Sequence, residues 1–240
     1  MDLSLSVSIS AQEVAFEKGV DDFFQLLHGI ENIPAFDLGW SMAGFSLWDQ
    51  SQEYVEYLRG TMPEQENDGN YFSVGINDDA KSRLGIEKVF YNFRYYSDDL
   101  GAQLTGEVRA PHPSRGAQVQ HYIDLLNIVT QWKRPMHVRF GPRLYNMEHH
   151  PLDRARLGIG WLGWVPFNLD PLSVPEAEIV RPMNGGSLIV TQTELWQADE
   201  GQSHYSSAAI GRAQEVEIRL NLLGVLPTGM EIARGDWGLG

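Results

Sequence analysis

A chain of 240 residues with 42% hydrophobic and 21% charged side chains is long enough to bury one substantial core, and this composition is that of a folded globular domain. The absence of cysteine excludes disulfide frameworks, thiolate metal sites, cysteine nucleophiles and Fe–S clusters, and it suits a reducing, cytoplasmic setting. A formal charge of −14 disfavours nucleic acid as a partner, because phosphate binding requires Lys and Arg. The charge is unevenly spread: residues 1–80 hold 15 Asp and Glu against only Lys18 and Arg59, whereas residues 81–160 are net basic.

The first residues lack the basic start and continuous apolar run of a secretory signal. Instead Leu3, Leu5, Val7 and Ile9 alternate with Ser4, Ser6 and Ser8, the period of a half-buried strand. Ser10 and Glu13 form an S-x-x-E capping box, and Phe16, Val20, Phe23 and Leu27 continue as an apolar helical row that stops at His28-Gly29. Ser46 and Asp49 open a second helix to Arg59, with Trp48, Val55 and Leu58 inward and Asp49, Glu53 and Glu56 in water. An acidic loop containing Pro63, Glu64, Glu66 and Asp68 follows.

Residues 86–96 and 103–110 predict a β-hairpin turning at Asp98-Asp99-Leu100-Gly101. Val119, Tyr122, Ile123, Leu126 and Val129 make one face of a helix, closed by Lys133, Arg134 and Pro135. Met136 to Phe140 is a short strand, and Leu157 to Phe167 a Trp-rich one that falls well short of the roughly 20 residues needed to span a membrane. Another strand, Leu188 to Thr193, follows the Asn184-Gly185-Gly186 turn. A last helix spans Ser207 to Leu223, with Ala209, Ala213, Val216, Leu220 and Leu223 at intervals of four, three, four and three. This irregular alternation predicts an α+β fold: a mixed, largely antiparallel sheet with three or four amphipathic helices in one domain covering residues 1–240.

Catalytic signatures are sparse. Gly158-Ile159-Gly160-Trp161-Leu162-Gly163 matches G-x-G-x-x-G, but it continues into Trp164-Val165-Pro166 rather than opening a helix, so these glycines are expected to serve packing. Glu148, His149, His150 and Asp153 are the one cluster with metal-ligand or acid–base chemistry, although adjacent histidines diverge and Pro151 breaks the element. His28 is expected to act at a helix C-terminus, and no nucleophile elbow surrounds Ser41. No catalytic residue, cofactor or metal is therefore expected. Aromatic side chains do stand beside acids, which is the composition of a steered protein interface. The candidate binding residues are Glu53, Glu56, Tyr57, Glu64, Glu66, Asp68, Tyr71, Asp78 and Asp79, with Tyr54 as a further aromatic.

The stretch Gly160-Trp161-Leu162-Gly163-Trp164-Val165-Pro166 ahead of a final amphipathic helix, in an acidic cysteine-free chain, resembles the immunity protein 52 family over most of its length. The resemblance implies a cytoplasmic antidote to a bacterial toxin, an inhibitor with no active-site residues of its own, whose cognate effector belongs to the type VI secretion system and carries a nuclease domain. A nuclease is basic where it holds phosphates, so an acidic inhibitor surface would be complementary to it. The partner expected is thus a protein, with no nucleic acid and no membrane, and self-association into a homodimer is compatible with the sequence. The competing expectation is a metal-dependent or hydrolytic enzyme using the 148–153 cluster.

Overall fold

A computed structural model describes residues 2–10, 15–33, 40–42, 45–61, 72–78, 90–98, 101–109, 118–196, 206–235 and 237–238 of the chain. In chain order the elements are β1 (Asp2–Ile9), α1 (Phe16–Glu31), β2 (Trp40–Met42), β3 (Phe45–Ser46), α2 (Ser51–Thr61), β4 (Phe72–Asp78), β5 (Phe90–Asp98) and β6 (Gly101–Arg109). They continue as α3 (Val119–Trp132), β7 (Pro135–Pro142), a π-helical turn (Tyr145–His149), β8 (Leu162–Val165), a 3-10 turn (Pro171–Ser173), β9 (Ile179–Met183), β10 (Gly186–Val190), α4 (Ser207–Leu222) and α5 (Gly229–Arg234). The strands form one sheet in the order β3-β2-β4-β5-β6-β1-β7-β8-β10-β9. Every ladder is antiparallel, and the parallel component is the isolated bridge between Phe140 and Gly160. The expected α+β class, with a largely antiparallel sheet in a single domain, is the one adopted.

The alternating strand at the N-terminus sits in the middle of that sheet, with Leu5 level with Gly106 of β6 on one side and Phe140 of β7 on the other. Its apolar residues Leu3, Leu5, Val7 and Ile9 are all buried under α1 and α3, in a core shared with Leu104, Val138, Phe140 and Trp161. Successive strand residues point to opposite faces, and β10 uses this: Leu188 and Val190 join that core, while Ile189 turns to a second one with Val165, Val180, Val216 and Leu220 under α4. At the β9 edge Pro182 is exposed; a residue without an N–H blunts an edge that would otherwise recruit another strand.

Several boundaries differ from the sequence expectation, each for a packing reason. Helix α1 starts at Phe16 with Ala15 as an N-cap that makes no side-chain bond; Glu13 of the expected capping box lies outside the described residues. It also runs through Gly29 to Glu31, because Ile30 is fully buried and the missing Cβ of Gly29 would lie 3.0 Å from Ile128 of α3. That glycine is a contact point between helices rather than a stop. Helix α2 begins at Ser51 instead of Ser46, since Ser46 is in β3, with its N–H bonded to Gln50 and its hydroxyl to Asp49. The Trp-rich strand is confined to Leu162–Val165, because Gly160 takes φ +70° and residues 159 and 160 direct their amides elsewhere. The Asn184-Gly185 turn has positive φ at both residues, the hairpin geometry that matches strand twist; it joins β10 to β9, a strand the sequence reading omitted.

Helices α1 and α3 are joined electrostatically as well. Asp22, 8% exposed, holds Lys18 at 2.9 Å and Lys133 at 2.5 Å, and its carbonyl accepts from Trp132 Nε1 at 2.6 Å. Burial by itself would raise its pKa, but the hydrogen bonds and charges of the two lysines outweigh that and lower it. Replacing Leu220, fully buried under α4, by Ala should cost about 2–5 kcal/mol, to be measured as a fall in the denaturation midpoint; an unchanged midpoint would show that α4 does not seal the second core.

Candidate functional site

Among the described residues, two places bear on function through their charge. One is the flank formed by α1 and α2. Phe24 of α1 packs edge-on to Trp48 and stacks on Tyr54, and Trp48 stacks on His28 at 3.8 Å and hydrogen-bonds Glu31. This aromatic seam fixes α2 beside α1 and turns its other side outward. Glu53 and Glu56 are exposed there, as are Glu17, Asp21 and Asp49. Tyr57 is 42% exposed, whereas Tyr54 is fully buried and so belongs to the seam and not to an interface. The two basic side chains of this third are both engaged, Lys18 with Asp22 and Arg59 with Glu17 at 3.2 Å. Asp78 ends β4, level with Trp40 of β2. Glu64, Glu66, Asp68, Tyr71 and Asp79 lie outside the described residues.

The second place is buried, and the sequence reading missed it. Glu217 lies on the inner face of α4, four residues after Ala213 and three before Leu220, and is fully inaccessible. Its Oε1 accepts the backbone N–H groups of Ile159 and Gly160 at 2.8 and 2.9 Å; its Oε2 accepts from the Tyr145 hydroxyl at 2.9 Å and from His150 Nδ1 at 2.8 Å. Four donors meet the four lone pairs that a carboxylate offers. Gly158 makes this possible, because a Cβ there would lie 2.1 Å from Oε1. The signal was present in the sequence as one acid inside an otherwise apolar helical row.

The 148–153 cluster does not converge. Glu148 is exposed, the His149 carbonyl accepts from Gln214, and Asp153 caps its own turn by accepting from the amides of Ala155 and Arg156. Only His150 turns inward. Its Nε2 faces the Arg156 carbonyl at 3.0 Å; a carbonyl accepts only, so Nε2 carries a proton, and Nδ1 donates to Glu217. An acid–base or metal-binding imidazole must present a lone pair to its target, and His150 has both nitrogens occupied within the protein. Among the described residues no group of three or more His, Asp or Glu is arranged to hold a metal.

Neighbouring charges respond to this hub. Desolvation alone would lower the His150 pKa, but the Glu217 hydrogen bond and charge raise it on balance. Burial and the Glu217 charge both push the Tyr145 hydroxyl up. Burial lowers the Arg139 pKa while Glu217 attracts it. His137, 2% exposed, is pushed down to about 3 by burial and by Arg139, with the Gly158 carbonyl opposing.

The two histidines give opposite pH dependences. His137, depressed from 6.5 to about 3, contributes stability present above pH 6.5 and lost as pH falls toward 3, at up to about 1.4 kcal/mol per pH unit. His150, raised above 6.5, contributes stability present below pH 6.5 and lost as pH rises through its folded value. Urea midpoints across a pH series should therefore peak near 6.5, and His137→Leu should flatten the acid limb. Glu217→Gln, which sets an amide donor among four donors, should cost about 3–5 kcal/mol by the same measurement.

No protein-family model and no curated protein matches the chain. Among solved structures, it superposes on one described as the Pseudomonas aeruginosa T6SS protein PA0821, with a TM-score of 0.51 and 11% sequence identity, over 98% of this chain and 82% of that one. At this identity the likeness is one of fold: the whole α+β arrangement of this chain has a counterpart in that protein.

Proposed function

We propose that the chain is an immunity protein, a stoichiometric binder that neutralises a cognate toxin, with a basic nuclease effector of the type VI secretion system as that toxin. The observation that carries this reading is the α1–α2 flank, where exposed Glu53 and Glu56 stand beside half-exposed Tyr57 while both basic side chains of the region are already paired. Such a surface attracts a basic partner from a distance and offers an aromatic contact on arrival. The secretion-system assignment draws on the fold shared with a protein named for that system.

An enzyme built on residues 148–153 has less support. Glu148 is exposed, the His149 carbonyl accepts from Gln214, Asp153 caps its own turn, and His150 is committed to Glu217. Ala at Glu148, His149 and Asp153 together should leave protection from the toxin intact in a folded protein. Loss of protection by that variant would favour the enzyme.

Capture of the neighbouring gene's product by the purified chain tests the partner directly. Neutralising Glu53 and Glu56 to Gln should slow association with that product by about two- to tenfold at low salt and little at high salt, because exposed charges act on the encounter and are screened. Neutralising Glu64, Glu66 and Asp68 as well should deepen the effect. Association rates that stay the same at every ionic strength would mean that these carboxylates only keep the protein in solution.

A further inference from the structure

The outer side of α4 carries an arrangement that the fold itself does not use. Ala209, Ala213, Val216, Glu217 and Leu220 are its buried residues. At about 100° per residue, Gly211, Glu215, Ile218 and Leu222 fall in one stripe on the opposite side. Leu222 is 73% exposed and Ile218 45%. A Cβ added to Gly211 would meet no atom within 4 Å, so nothing among the described residues calls for glycine there, although glycine weakens a helix interior. Glu215 is exposed and makes no ion pair among the described residues. Arg219 binds Glu176 through Nε and Nη2, which leaves donors on Nη1.

We propose that this stripe is the contact of a symmetric homodimer, with a second copy of the chain lying antiparallel across α4. The intervals along the stripe are four, three and four residues, the same in either direction. A two-fold axis perpendicular to the helix therefore sets Leu222 over the partner's Gly211 and Ile218 over the stem of the partner's Glu215. The most exposed leucine meets the position with no side chain, and the glycine allows the two backbones to approach. Glu215 comes within one residue of level with the partner's Arg219, about 1.5 Å along the axis, and that guanidinium has donors to spare.

A parallel pairing is disfavoured, because it would oppose glycine to glycine and set the two Glu215 carboxylates level with each other, whereas the antiparallel one offsets them by three residues, about 4.5 Å along the axis, with the partner's Arg219 nearer to each. A basic partner is a poorer occupant than a second copy. Arg212 and Arg219 beside the stripe are already paired with Glu178 and Glu176, so this side has little of the negative field of the α1–α2 flank. The two surfaces are separate in the fold, and the dimer does not depend on the toxin reading.

The test uses the full chain, whose lack of cysteine makes engineered thiols unambiguous. Gly211→Cys combined with Leu222→Cys places two thiols about 16.5 Å apart on one helix, too far to bridge within a chain. Mild oxidation should yield a covalent dimer from the double variant and none from either single variant. A double variant that stays monomeric, or crosslinking by Leu222→Cys alone, overturns the antiparallel contact. In sedimentation of the unaltered chain the mass should approach twice 27.1 kDa as concentration rises. Leu222→Glu, at an exposed site that leaves the fold intact by circular dichroism, should raise the dissociation constant about tenfold or more. A chain that remains at 27.1 kDa at every concentration overturns the proposal.

Discussion

The arrangement of the C-terminal half rests on one buried carboxylate. Placing an ionisable acid beneath a helix is costly unless every lone pair is met, and Glu217 obtains its four donors from three different segments: the π-helical turn, the His150 loop and the 159–160 backbone. The loop ahead of β8 is shaped by this demand. Gly160 adopts φ +70° and Gly158 gives up a side chain so that two consecutive amides can face the same oxygen. Donors aimed at a buried charge are stronger than neutral pairs, so the hub selects one loop conformation among many that hydrophobic packing alone would allow.

Around that hub the sheet divides its labour by face. Apolar residues of β1 seal the first core under α1 and α3, and Ile189, Val165 and Val180 seal the second under α4. Because β1 pairs with β6 and β7, the centre of the sheet closes only when segments about a hundred residues or more downstream arrive, and such long-range closure is typical of slow-folding β topologies. The Asp22 pairs with Lys18 and Lys133 then tie α1 to the end of α3, so acids of the first third contribute to architecture as well as to surface charge.

Net charge and charge location therefore carry different information. Asp22 and Glu217 are structural, Glu17 is partnered by Arg59, and Glu53 and Glu56 are left facing water. The acidic excess of the first 80 residues is in part held by the fold and in part displayed on α1 and α2. The apolar stripe on α4 sits among paired charges instead. The α1–α2 flank thus displays exposed carboxylates, whereas the outer face of α4 displays Ile218 and Leu222.

Local periodicity determined which segments became β1, α3 and α4, since alternation and 4-3-4 spacing encode a buried face without reference to the rest of the chain. The α+β class followed from their irregular order. Tertiary structure alone decided the endings and the site. Gly29, a stop signal in isolation, is overridden by the burial of Ile30 and the approach of Ile128. Tyr54 and Tyr57 are three residues apart on one helix, yet the aromatic seam buries the first and exposes the second. His150 looked like a partner for its neighbours Glu148, His149 and Asp153, but its bond is to Glu217, 67 residues away. Sequence spacing cannot encode a contact of that separation, because it arises only once β7, β8 and α4 have packed and a desolvated carboxylate has to find its donors.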